Sequence, residues 1–410
     1  MNDQTPSAPM TSRQRVLTAL HHEPTDRIPI DLGGMASTGI MAIAYARLKE
    51  YLGISTGRVR VFDIGQQLAE VEPEVLARFG VDVISLENSL GEDQPGRWKP
   101  WRLPDGSPCE IPVELDLWPD AEQGGWQIWE GGIPTQRMAA GSLYFSQIYH
   151  PLAGAVTSAE LDEFPIPVIS ESRLQFLEAR ARTLSENTEF AIMANFGGSI
   201  LEAGQGLRGW DQFMMDLASG DAFVEDLIGR IVETQLSNLA LFLQAVGEYV
   251  QIIQFGDDLG AQDRPQLSPR MYRQYIQPGH TRLYQYVHAY SDCAVFLHSC
   301  GAIYPLIADL IEAGVDILNP VQTSAAGMDP QRLKDAFGDR LTFWGGGCDT
   351  QAVLPGASPN EVAAHVAERL RIFAPGGGYV FNPIHNIQAN VTPENIAAMF
   401  DAARAFRLEE

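Results

Sequence analysis

Cys293-Ala-Val-Phe-Leu-His-Ser-Cys-Gly301 decides how this chain is read. Its first five residues form a short apolar run without polar alternation, the pattern of a parallel strand buried on both faces. Polar residues beside glycine follow at once, as they do where a barrel strand opens into its functional loop. His298 and Cys300, at i and i+2, project to the same side of an extended chain. A second cysteine, Cys348, follows another strand-like run within Trp344-Gly-Gly-Gly-Cys348. One imidazole and two thiolates make a three-residue zinc set, whose missing fourth ligand leaves a position open for chemistry. Zinc so held can bind a thiol as thiolate at neutral pH.

Outward from this stretch, the same unit recurs. Strands are expected at Arg27 to Leu32, Val81 to Leu86, Phe190 to Asn195, Val250 to Phe255, Cys293 to Leu297, Asp316 to Leu318, Leu341 to Trp344 and Tyr379 to Phe381. Helices are expected at Ile40 to Tyr51, Asp63 to Phe79, Ser199 to Ala218, Ala222 to Val246, Ser268 to Tyr290, Ile303 to Ala313, Pro330 to Phe337, Pro359 to Phe373 and Pro393 to Phe406. Eight strands, each leading toward a helix, predict a (β/α)8 TIM-type barrel, with an open doubly wound sheet as the alternative. Residues 91–164 interrupt the pattern. Rich in Trp, Pro and Gly, they read as hairpins, one turning at Asp105-Gly106, inserted between the second and third strands and able to cap the active face. Residues 12–410 are expected to be one barrel domain, and 1–11 a disordered tail without the basic and apolar regions of a signal peptide.

The chain has 410 residues, 45% hydrophobic and 20% charged, a globular composition. Its net charge of −24 argues against nucleic acid and anionic membranes as partners and leaves small molecules or a partner with a complementary patch. No apolar run approaches the roughly 20 residues of a membrane span, so a cytoplasmic location is expected. Four cysteines are too few for a disulfide framework in a chain this long. Cys293 and Cys109 read as structural.

The expected strand ends gather the polar groups. His298, Cys300 and Cys348 are the candidate metal ligands, with His385 competing to complete the set. Asp257 and Asp258 are candidates for binding a cationic or hydroxylated substrate or for general acid–base work, and either could instead cap the following segment. Glu87 could orient a ligand or sit on the rim. Asn195, Asn319, Gln322 and Gln388 are candidate hydrogen-bonding partners of a substrate, and the first three could instead support the backbone at the strand ends. The glycine triplets 345–347 and 376–378 fit neither nucleotide-loop pattern, and the second precedes a strand, as a turn would.

These motifs resemble the uroporphyrinogen decarboxylase superfamily. Phe255-Gly-Asp-Asp-Leu-Gly260, Leu297-His-Ser-Cys-Gly301, Ala313-Gly-Val-Asp-Ile-Leu-Asn-Pro320, Thr342-Phe-Trp-Gly-Gly-Gly347 and Pro383-Ile-His-Asn386 carry the likeness, with Ser12 to Leu20 and Asp26-Arg-Ile-Pro29 at the start. The resemblance implies a (β/α)8 barrel, a homodimer and one of two chemistries. The decarboxylases bind porphyrinogen carboxylates through an arginine-rich N-terminal motif. Here Ile28-Pro-Ile-Asp-Leu-Gly-Gly-Met35 has no arginine after Arg27, and Glu87 falls at the decarboxylase aspartate. The other branch, the cobalamin-dependent methyltransferases, passes methyl from a corrinoid protein to a thiol and binds zinc by His-x-Cys and a distant Cys. His298 and Cys300 match the first two; Cys348 or His385 stands for the third. The resemblance thus implies zinc, a thiol acceptor, and cobalamin on a partner protein or free, since no corrinoid domain is visible in the chain. Attack of a zinc-held thiolate on a methyl carbon is the expected reaction. Two other readings stand beside it: a lyase or decarboxylase using Asp257, Asp258 and His385 without metal, and a non-catalytic metal- or ligand-binding barrel.

Overall fold

A computed structural model describes residues 9–162, 164 and 166–407. Seven parallel strands form one curled sheet: β1 Val83–Ser85, β2 Ala191–Gly197, β3 Ile252–Gly256, β4 Ala294–His298, β5 Ile317–Asn319, β6 Thr342–Trp344 and β7 Tyr379–Val380. Their order in space is their order in sequence. Ile30 and Asp31 close the ring, bridging in parallel to Phe381 beyond β7 and to Val83 of β1. This eighth position is shorter than the expected strand at Arg27 to Leu32. Pro29 has no N–H to give, and the Ile30 N–H goes to the Asp82 carboxylate at 2.9 Å instead of to a strand.

Inside the ring, Val83, Ala191, Met193, Ile252, Phe296, Ile317, Trp344 and Val380 form a closed apolar cluster with Val16 and Met35. Val16 comes from the helix Ser12–Leu20, which is tied to the strand starts by Arg13 N–H to Glu189 O and Gly378 N–H to Ala19 O. The other face of each strand packs against the helices in a second, larger core. Burial on both faces explains why the strand sequences show no alternation.

Several expected helices are differently divided. Ser199 to Ala218 forms two helices, Leu201–Arg208 and Trp210–Ser219, because Gly209 between them has φ +86°. Asp63 to Phe79 starts as a short antiparallel pair, Val61–Asp63 with Leu68–Ala69, before the helix Pro73–Phe79. The helix Glu171–Asn187, capped by Ser170, has no counterpart among the sequence expectations. Only Leu177, Ala181, Leu184 and Arg180 of its residues are buried, too few for its apolar stripe to stand out.

The inserted stretch forms a hairpin, Trp98–Arg102 with Pro108–Pro112, and a four-stranded antiparallel sheet. Its end returns to the barrel: Phe145 N–H bonds Gly65 O at 2.9 Å, and Gln67 Nε2 bonds Leu143 O at 2.6 Å. Residues 1–8 of the expected tail lie outside the described residues. Met10 and Thr11 do not behave as tail: Arg15 bonds Met10 O at 2.6 Å, and Thr11 caps the first helix. No described helix is long and apolar enough to cross a membrane.

Candidate metal centre and active site

The parallel register of β3 and β4 pairs Gly256 with His298. Two residues further along each chain, Asp258 therefore stands beside Cys300. The Cys300 N–H donates to Asp258 Oδ1 at 2.7 Å, which holds that carboxylate in place. His298 Nε2 lies 3.4 Å from Cys300 Sγ and 3.6 Å from Asp258 Oδ1. The three ligand atoms of Asp258, His298 and Cys300 all fall within 4.8 Å of one another, the one such group among the described residues.

Asn319 orients the imidazole. It is fully buried at the end of β5, and its Nδ2 donates to Trp344 O at 2.8 Å. That bond turns Oδ1 toward His298 Nδ1, 2.6 Å away. A carbonyl oxygen can only accept, so Nδ1 carries a proton, and in the neutral imidazole the Nε2 lone pair faces Cys300 and Asp258. The Ser37 hydroxyl donates to the same Nε2 at 3.2 Å. A metal-ligating histidine commonly has such a partner on its other nitrogen.

The surrounding charge is negative. Burial, then Asp258 and Glu202, push the Cys300 thiol far up, so it stays protonated without a cation beside it. Solvent reaches Glu202, yet partial desolvation and repulsion from Asp258 and Asp257 raise its carboxyl to about 7. Its Oε2 accepts the Asp258 N–H at 3.1 Å. Sequence reasoning passed over Glu202 because it opens a helix and no strand-end motif marks it. His385 lies within electrostatic reach of His298 and Asp258; burial and then His298 lower its pKa and keep it neutral. Gln388 Nε2 is 3.5 Å from His385 Nδ1, and Gln388 Oε1 accepts from the Tyr144 hydroxyl. The insertion thus touches the mouth of the site through Tyr144.

The other candidates have different places. Cys348 is not among the converging ligands. It is fully buried in the outer core, with Sγ 3.9 Å from Asp349 O, and burial raises its thiol to about 12. Gly345 and Gly346, at φ +125° and +63°, turn the chain away after β6. Asp257 is fully buried and caps the helix Leu201–Arg208. It accepts the N–H groups of Ile200, Leu201 and Glu202 at 3.0, 2.9 and 2.8 Å, and pairs with His280 Nε2 at 3.0 Å. Fully buried and met by these four donors, it has a structural place. Glu87 pairs with Arg173 on the rim. Asn195 bonds Ser85 Oγ at 3.0 Å and Gly34 O at 3.3 Å. Gln322 accepts the Gly301 N–H at 2.8 Å and so braces the Cys300 loop.

The donor set suits zinc. Imidazole nitrogen, thiolate sulfur and carboxylate oxygen are all zinc ligands, and three of them leave a position free. A cation here would also relieve the repulsion among Asp258, Glu202 and the sulfur.

A family model described as uroporphyrinogen decarboxylase matches residues 150–406. A uroporphyrinogen decarboxylase from Xanthomonas euvesicatoria pv. vesicatoria is 23% identical over 414 residues, covering 97% of this chain and 99% of the relative. The one from Alkalilimnicola ehrlichii is 22% identical over 396 residues, 95% of this chain and 92% of its own. A solved methyltransferase from Methanosarcina mazei has the same fold, with a TM-score of 0.58 at 16% identity over 96% of this chain and 98% of that one. Barrel, strand-end motifs and family match agree: the chain belongs to the uroporphyrinogen decarboxylase family.

Proposed function

We propose that the chain is a zinc-dependent alkyltransferase that activates a thiol for attack on a methyl carbon. The convergence of Asp258, His298 and Cys300 within 4.8 Å carries this reading. Asp258, not Cys348, then completes the set begun by His298 and Cys300. Bound zinc would supply the Lewis acidity that holds a substrate thiol as thiolate at neutral pH. Asn319 keeps the His298 lone pair aimed at the site, and the Cys300 N–H fixes Asp258. Neutral His385 and the Gln388–Tyr144 pair form a hydrogen-bonding wall for the substrate. The methyl donor is a corrinoid, free or on a partner protein, or a methylated small molecule.

Porphyrinogen decarboxylation has less support. Arg27, the last arginine before the strand-end loop, bonds Asp82 at 2.6 and 2.8 Å. The groups that face the thiol electrostatically are carboxylates, which repel a polycarboxylate substrate.

The test is elemental analysis of reduced protein together with methylation of simple thiols by methylcobalamin. The expected result is about one zinc per chain, lost in Asp258→Ala, His298→Ala and Cys300→Ala along with thiol methylation. Zinc-free, reduced wild type with no thiol alkylation after zinc addition would overturn the reading.

A further inference from the structure

Asp31 is a carboxylate buried completely at the seam where the barrel closes. Burial raises it to about 6, and among its bonding partners there is no cation to offset the desolvation. Its two oxygens point along two paths that meet at one residue. Oδ2 accepts the Trp344 indole N–H at 2.9 Å. The Trp344 carbonyl accepts Asn319 Nδ2 at 2.8 Å, and Asn319 Oδ1 meets His298 Nδ1 at 2.6 Å. On the other path, Oδ1 accepts the Gly34 N–H at 2.8 Å. This pins the loop that presents Ser37, whose hydroxyl reaches His298 Nε2 at 3.2 Å. Both ring nitrogens are thus traceable to Asp31. The glycine is required here: a Cβ on Gly34 would sit 2.9 Å from Asp31 Oδ1 and 3.1 Å from Val83.

We propose that Asp31 and Trp344 are positioning residues for His298, setting its tautomer through Asn319 and its lone-pair direction through the Ser37 loop. The indole bond locks the Trp344 side chain against the seam, and with it the end of β6 that offers its carbonyl to Asn319. Released from Asp31, Trp344 can shift, Asn319 can turn its amide, and His298 can take the other tautomer. The consequence for metal affinity rests on the zinc reading above. The consequence for the tautomer does not.

The experiment uses full-length protein, with Trp344→Phe, Asp31→Leu and the conservative Asp31→Asn beside wild type. The first readout is the 15N NMR of labelled histidines in metal-free protein. Wild-type His298 should be protonated at Nδ1; Trp344→Phe and Asp31→Leu should show a mixture with the Nε2–H form, and Asp31→Asn, which keeps one carbonyl acceptor, should move toward wild type. The second is cobalt(II) affinity by chelator competition, expected to weaken about 10-fold in the first two variants, the low end for loss of an outer partner of a ligating histidine. Folded Trp344→Phe with wild-type His298 signals overturns the proposal; should that variant not fold, wild-type signals in Asp31→Leu overturn it equally, and if both fail to fold, a wild-type tautomer in Asp31→Asn at unchanged Trp344 N–H shift supports it while a mixture with that shift unchanged overturns it. Wild type that binds no metal defeats the zinc reading and leaves the tautomer result to decide this one.

Discussion

Asp258→Ala and Cys348→Ala separate the two ways of completing the metal site. Asp258 supplies one of three converging donors and is held by the Cys300 N–H at 2.7 Å. Structural zinc sites with about four ligands bind with about 10–16 kcal/mol, so one ligand is worth on the order of 3 kcal/mol. That corresponds to about 100-fold in Kd. Cys348→Ala removes one fully buried sulfur from a packed core. The loss resembles a buried methylene plus a small cavity, about 1–2 kcal/mol of stability. Competition with a chromophoric chelator, on reduced proteins checked by thermal melting, measures both. Asp258→Ala should lose affinity and keep its melting temperature within a few degrees. Cys348→Ala should keep its affinity and melt only about 1–2 °C lower, since 410 residues carry an unfolding entropy of about 0.9 kcal/mol/K. Metal loss in Cys348→Ala with retention in Asp258→Ala would refute the assignment, because the sulfur would then have to leave the core to reach His298.

Three further outcomes follow from particular contacts. Asp257→Ala strips the acceptor from three backbone N–H groups and His280, so denaturant unfolding should show a loss on the order of 3–5 kcal/mol; an unchanged midpoint would remove the capping role. Glu87→Ala breaks only a half-exposed pair with Arg173, so stability should change by less than about 1 kcal/mol and zinc content not at all; zinc loss would return Glu87 to the site. Asp31 is raised from 3.8 to about 6 in the folded chain, which therefore binds its proton more tightly than the unfolded chain does. Its contribution is fully present below about pH 4 and is lost as pH rises through about 6, on the order of 3 kcal/mol. Urea midpoints compared at about pH 4.5 and 7.5 should fall further for wild type than for Asp31→Asn; parallel curves would contradict the burial of a titrating carboxylate.

Much of the barrel was legible because its signals are local. A strand buried on both faces must be an apolar run, and seven of the eight expected runs overlap the strands observed, with ends that agree to within two residues. The eighth shrank to bridges because Asp82, distant in sequence, took the Ile30 N–H. The helix Glu171–Asn187 escaped notice because little of it is buried. The same division runs through the site. That His298 and Cys300 share a side follows from their spacing of two, a property of extended backbone that needs no partner strand.

The third donor could not be read that way. Asp257 and Asp258 are adjacent and chemically alike, and backbone alternation sends them to opposite duties, one capping a helix and the other facing the thiol. Cys348 had the better residue type for zinc, but glycines with positive φ carried it into the core. Thus the sequence by itself determined the barrel, the His298–Cys300 pair and the clustering of polar groups at strand ends, since each depends on neighbours along the chain. Only the tertiary structure decided that Asp258 joins them and that Asp31, Trp344 and Asn319 orient His298. Those choices depend on the register between β3 and β4 and on hydrogen bonds that cross the barrel, and no local pattern encodes either.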